Sequence, residues 1–245
     1  MPAEICVFET KEELICNLSL GFLRMAAEIQ NTRHFFTVAF GGGRTPVAMN
    51  RKLATLSSNK LIDWSRTLIF FNDERCVPVE HQDSNYGMFM RTLFQPLSIP
   101  LQNVHRICGE CEPETAASAY SRKLEECFCG SDIPAFDLIL LGLGSDGHTA
   151  SLFPKSPALF EDERWVVHAG KGPEGWERIT LTYPVINAAR EVWFIISGHA
   201  KSEVVSRLIN GPFEPQVLPA QGVRPLHGRL KYLMDKDAAK ELRLA

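Results

Sequence analysis

The sequence predicts an α/β protein, with a doubly wound, mainly parallel sheet flanked by helices and built as one domain over residues 1–245. Three observations predict it. Strand-like and helix-like segments alternate nearly throughout the chain. The strand-like segments are continuous apolar runs, as burial on both faces of a parallel sheet requires. No Gly/Ser-rich or Pro-rich linker, internal repeat or low-complexity tract divides the 245 residues, a length that suits one large domain.

The elements follow in order. ICVF (5–8) reads as a first strand, and Thr10 with Glu13 makes a capping box before a helix running to about Gln30. FFTVAF (35–40) is an apolar strand leading into GGGRTP and the helical VAMNRKLATL. TLIFF (67–71) is another buried strand, ending in NDERCVP. Helices are predicted over 84–94 and over about 113–128. FDLILL leads into the loop GLGSDGHTA, and WVVHA and ERITLTY are further strands, the latter followed by a Pro-started helical turn. EVWFIIS precedes the helix HAKSEVVSRLI, and HGRLKYLMD with a short terminal helix closes the chain.

Composition narrows the function. A formal net charge of -3 and the lack of a basic run leave no electrostatic footprint for nucleic acid. Apolar runs such as LILL and WFIIS are far shorter than the roughly 20 residues that span a bilayer. The acidic N-terminal stretch does not resemble a secretory signal, so a cytoplasmic protein is expected. The seven cysteines have no regular framework. Cys108 and Cys111 form C-x-x-C, but the following Cys127 and Cys129 form C-x-C, a poor second hook for zinc. Reduced thiols and no metal are expected.

In parallel α/β sheets ligands gather at the carboxyl ends of the strands. That rule nominates GGGRTP, NDERCVP, GSDGHTA and SGHAK together, because each follows a buried strand. Gly142, Gly144 and Gly147 also satisfy G-x-G-x-x-G, a dinucleotide fingerprint. Its context fails: Pro154 limits any following helix to about two turns, and Asp162 and Glu163 precede a strand where the ribose-binding acid should end one. The nucleophile elbow G-x-S-x-G fails too, because Leu143 stands at its first glycine. No cofactor is expected.

The loops suit an anion. Gly42 and Gly43 let backbone N–H groups converge, Thr45 is placed to cap the next helix with Pro46 at its first position, and the helix dipole adds attraction. On the loop alone, a sugar-phosphate site and a tight glycine turn fit equally. Arg75 can hold phosphate or a sugar oxygen in a fork, or pair locally with Asp73 or Glu74. Lys201 is a second cation at the same edge. His148 is the candidate for acid/base work, with Asp146 either orienting it or capping a short helix.

These residues resemble the 6-phosphogluconolactonase family, lactone hydrolases of the oxidative pentose phosphate pathway. Four blocks carry the match: GGGRTP (41–46), NDERCVP (72–78), SNYGM (84–88) and LGLGSDGHTASLFP (141–154). RITLTYPVINAAREVWFIISGHAK (178–201) and LPAQGVRP (218–225) extend it over almost the full length. The resemblance implies the α/β architecture shared with glucosamine-6-phosphate deaminase and ribose-5-phosphate isomerase. The deaminases are the runner-up, but their histidine is followed by A-F-N-E-P, where this chain has TASLFP. A non-catalytic sugar-phosphate sensor is a third reading. Two residues depart from the family pattern: Arg44 stands where serine is usual, and Tyr232 where tryptophan is common.

What the resemblance implies is hydrolysis of a sugar-phosphate lactone, with His148 as general base and Asp146 its orienter. Gly42, Gly43, Arg44 and Thr45 would receive the 6-phosphate, and Asp73, Arg75 and Lys201 complete the substrate site. The small lactone is the expected partner, bound by a monomer or homodimer, with no nucleic acid and no membrane.

Overall fold

The computed structural model describes residues 3–56 and 61–243. Among them are the strands β1 (Glu4–Phe8), β2 (Phe36–Phe40), β3 (Thr67–Phe71), β4 (Asp73–Arg75), β5 (Leu138–Leu141), β6 (Val166–Lys171), β7 (Glu177–Leu181), β8 (Glu191–Ile196) and β9 (Arg229–Asp235). Six of them form a sheet in the order β1-β9-β8-β5-β2-β3, and every pairing in it is parallel. All residues of β5 and β8 are buried, which is why these strands read as unbroken apolar runs.

Helices cover this sheet. α1 (Lys11–Thr32) starts at the Thr10 cap, whose hydroxyl accepts from the Glu13 N–H at 3.1 Å, while the Glu13 carboxylate takes the Glu9 N–H at 3.0 Å. Its inward face packs on β1, β2 and β9 and on α2 (Arg44–Leu56). α3 (Asn85–Phe89), a π turn over Met90–Phe94 and α4 (Gln95–Leu97) run on as one helical stretch. Pro96 has no N–H to give the preceding turn, and the helix widens there. α5 (Pro113–Cys127) seals the outer edge of β3: the buried Tyr120 hydroxyl takes the Phe71 N–H at 2.8 Å and donates to the Phe71 carbonyl at 3.1 Å. α6 (Tyr183–Ala188) and α7 (Ser202–Asn210) follow β7 and β8. One core cluster holds the fully buried Phe22, Phe36, Phe40, Phe70 and Phe71, each contributing about 1.5–3 kcal/mol by leaving water.

Four local expectations are corrected. WVVHA and ERITLTY leave the parallel sheet: β6 and β7 pair antiparallel and β4 joins them, giving a separate sheet in the order β4-β7-β6. The turn joining β6 to β7, closed by the Gly175 N–H on the Gly172 carbonyl, is far too short for a parallel crossover. The expected terminal helix is a series of turns after Asp235. α2 begins at Arg44, so Thr45 lies inside its first turn rather than at the cap. Gly43 precedes the helix at φ +117°, a backbone state open to glycine, and Pro46 still falls where a missing N–H is harmless. Finally, Cys108 and Cys111 form a disulfide, their Cα atoms 5.5 Å apart and within bridging range. Neither therefore presents a free thiolate.

The topology creates the site. β2 and β5 are adjacent, yet the chain leaves β2 toward β3 and β5 toward β8. At such a switch point the two following loops diverge and open a crevice at the strand ends. Those loops are Gly41–Arg44 and Gly142–His148.

Candidate active site

Asn72 holds the base of the crevice. Its N–H donates to the Phe40 carbonyl of β2 at 2.9 Å, and its side-chain amide donates to the Leu140 carbonyl of β5 at 2.5 Å. The buried Asn72 thus ties three strand ends together. A cleft of about 360 Å³ opens above it, lined by Gly42, Gly43, Arg44, Asp73, Arg75, His148, Arg178 and Lys201 among others. It adjoins a second hollow of about 440 Å³ that Thr45 lines together with Gly42, Gly43, Arg44 and Lys201.

The histidine loop contains no helix. The Gly144 N–H donates to the His148 carbonyl at 2.8 Å and the Gly147 N–H to the Gly144 carbonyl at 3.1 Å. Gly147 has φ +87°, and its carbonyl takes the Ala220 N–H at 2.9 Å. At Gly144 even a methyl is excluded: its Cβ would lie 2.1 Å from Nδ1 of His148 and 2.5 Å from Oδ1 of Asp146. The Thr149 hydroxyl, donating to the Gly142 carbonyl at 2.9 Å, fixes the far side. His148 Nδ1 lies 2.5 Å from Oδ1 of Asp146, which also takes the His148 backbone N–H at 3.2 Å. The His148 hydrogen bond holds the Asp146 carboxyl below its usual range, burial opposing it. The carboxylate therefore accepts from Nδ1–H, which leaves Nε2 with a lone pair. The Phe153 ring, centred 4.9 Å away, flanks the imidazole.

Cations gather opposite. Among the described residues, neither Arg44 nor Lys201 is in an ion pair. Burial and the nearby Arg44 push the Lys201 ammonium below its ordinary value, with Asp146 opposing. Arg75 donates from Nη1 to Asn85 Oδ1 at 2.6 Å and to the Asp83 carbonyl at 3.1 Å, while its buried Nε has no partner among the described residues. Asp73 accepts the Ser151 hydroxyl at 2.6 Å and pairs with Arg178 at 3.7 Å. Its carboxylate is thus engaged by protein donors.

The structure brings Gly42, Gly43, Arg44, Asp73, Arg75, His148 and Lys201 to one cleft, with Asp146 behind the histidine and Thr45 in the adjoining hollow. Sequence reasoning missed Asn72's anchoring contacts, Asn85 and Arg178. Arg178 is buried, with Nη2 on Glu174 at 2.5 Å and Nε without a hydrogen-bond partner among the described residues. Only the hairpin register, which pairs Arg178 with Arg75, brings it to the site. The turn signal GPEG could have revealed that hairpin.

A parallel α/β fold with a polar, cation-lined crevice at its switch point defines the class. Within it, this chain belongs to the family described as glucosamine-6-phosphate isomerases/6-phosphogluconolactonase, whose model matches residues 9–232. It is 38% identical over 244 residues to the 6-phosphogluconolactonase of Homo sapiens, covering 98% of this chain and 94% of that one. The structure of 6-phosphogluconolactonase from Trypanosoma cruzi superposes with a TM-score of 0.87 at 29% identity, over 99% of this chain and 98% of that one. A monomeric glucosamine-6-phosphate deaminase of the NagB superfamily shares the fold, with a TM-score of 0.80 at 20% identity over 97% and 99% of the two chains.

Proposed function

We propose that this protein hydrolyses 6-phospho-D-glucono-1,5-lactone to 6-phospho-D-gluconate, with His148 as general base. The observation that carries the reading is the Asp146–His148 pair at 2.5 Å, set across one cleft from Arg44, Arg75 and Lys201. Nε2 of His148 takes a proton from water as the oxygen attacks C1 of the lactone. The carbonyl then carries a negative charge, which a cation of the cleft stabilises. As C1 releases the ring oxygen, Nε2 returns the proton to it, and the product is an open-chain acid. Gly42–Thr45, at the N-terminus of α2, receive the 6-phosphate together with Lys201 and Arg44. A nearby cation without an ion pair is the expected counterpart of a dianion.

One observation separates this reading from a deaminase. The cleft-lining carboxylates among the described residues are Asp73 and Glu174, and both are engaged by Arg178. Neither is free for a second acid/base step. The test is a pair of assays on the same preparation, lactone opening above its spontaneous rate and ammonia release from glucosamine 6-phosphate. Lactone opening alone is expected. Ammonia release alone, or neither, would remove the proposal.

A further inference from the structure

We infer that Asn85, held by Glu74, is a positioning residue that fixes the Arg75 guanidinium against the glycine loop and so sets the cleft's affinity for a phosphorylated sugar. This rests on the reading above, in which Arg75 meets the substrate.

The Asn85 side chain touches three parts of the site. Its Oδ1 accepts from Arg75 Nη1 at 2.6 Å, and its amide donates to the Asp73 carbonyl at 2.8 Å. The glycine loop lies directly on it: a Cβ at Gly42 would be 1.8 Å from Oδ1 of Asn85. Asn85 is only 1% exposed. A shift of this side chain therefore moves Arg75 or the loop.

Glu74 sets the position of Asn85. Its carboxylate, next to Arg75 in β4, accepts the backbone N–H groups of Asn85 at 2.7 Å, Tyr86 at 2.8 Å and Arg75 at 2.8 Å. The Ser84 hydroxyl donates to it at 3.3 Å. A carboxylate buried in strand β4 thus takes the first two N–H groups of α3 from outside the helix, beside the helix's own cap, the Ser84 hydroxyl, which accepts from the Gly87 N–H at 3.0 Å. Burial, the largest influence, raises its carboxyl from 4.5 to about 7, against these hydrogen bonds and with help from Asp73. Around it stand Asp73 and Cys76 on its own segment, Tyr86 from α3, Arg106 from the segment before α5, and Arg178 of β7, which is turned to Asp73 and Glu174. Ionised, Glu74 is an acceptor for all four donors. Protonated, it presents an O–H to a ring of donors, and its hold on Asn85 weakens.

The test is calorimetric binding of 6-phosphogluconate to wild type, Glu74→Gln, Asn85→Ala and the double variant, near pH 6 and near pH 8.5. Reading variant-to-wild-type ratios cancels the ligand's own phosphate titration. Asn85→Ala is expected to weaken binding about tenfold near pH 8.5 and only about twofold near pH 6, where protonated Glu74 has already loosened Asn85. Glu74→Gln should match wild type near pH 6 and bind about fivefold more weakly near pH 8.5, with no added effect on the Asn85→Ala background. A pH-independent Glu74→Gln ratio, additive variants, or wild-type affinity in Asn85→Ala would each overturn the inference. If Asn85→Ala does not fold, the Glu74→Gln ratio decides alone. Wild type that binds 6-phosphogluconate without opening the lactone removes the functional reading and leaves the positioning claim standing. A flat ratio in an active enzyme does the reverse.

Discussion

In the proposed mechanism His148 acts as a base only while Nδ1 is occupied and Nε2 keeps its lone pair, and the Asp146 carboxylate occupies Nδ1 at 2.5 Å. Asp146→Asn keeps the shape but offers an amide in place of the acceptor carboxylate. It is expected to lower kcat by roughly 10²–10⁴-fold with KM nearly unchanged; a change confined to KM would place Asp146 in binding instead. Because the Asp146 carboxyl sits below its usual range, the pair's stabilisation persists above the ordinary carboxylate value and is lost as pH falls through the lowered one. Glu74 has the opposite sign. Its folded carboxyl is raised from 4.5 to about 7, so its contribution to stability is full below 4.5 and lost as pH rises to about 7. The stability difference between wild type and Glu74→Gln, read from urea midpoints, should fall across that window and level off above it. Parallel curves would contradict the assignment.

The elements show which patterns a sequence carries openly. The apolar runs of β2, β3, β5 and β8 were legible because a strand buried on both faces has no polar positions. The Thr10–Glu13 box and Pro113 marked helix starts through local chemistry alone. β4 was not legible: Asp73, Glu74 and Arg75 have no strand propensity, and their ladder exists because β7 offers partners. Arg178 was hidden for the same reason, since only its register with Arg75 makes it a cleft residue. The strand-end loops that hold His148, Arg44 and Lys201 were legible from their positions after buried strands. At this scale Tyr120 is a direct probe, because its hydroxyl closes the outer edge of β3 at Phe71. Tyr120→Phe strands a buried N–H and a carbonyl, and a loss of about 1–3 kcal/mol in urea unfolding is expected. An unchanged midpoint would show that this edge needs no clamp.

For the molecule as a whole, the net charge of -3 and the cation-lined cleft pull in opposite directions. Arg44, Arg75 and Lys201 line the cleft where β2 and β5 part, so an anion is attracted to the switch point despite the negative net charge. No helix among the described residues is long and apolar enough to cross a membrane. The family is shown by the match over residues 9–232, while the use of the cleft rests on its chemistry. The most direct test of the central claim compares wild type with His148→Ala on freshly generated 6-phosphogluconolactone, after subtracting spontaneous opening. Wild type is expected to open the lactone, and the variant to lose at least about 10²-fold in kcat while still binding 6-phosphogluconate. A variant that turns over at the wild-type rate would contradict that claim.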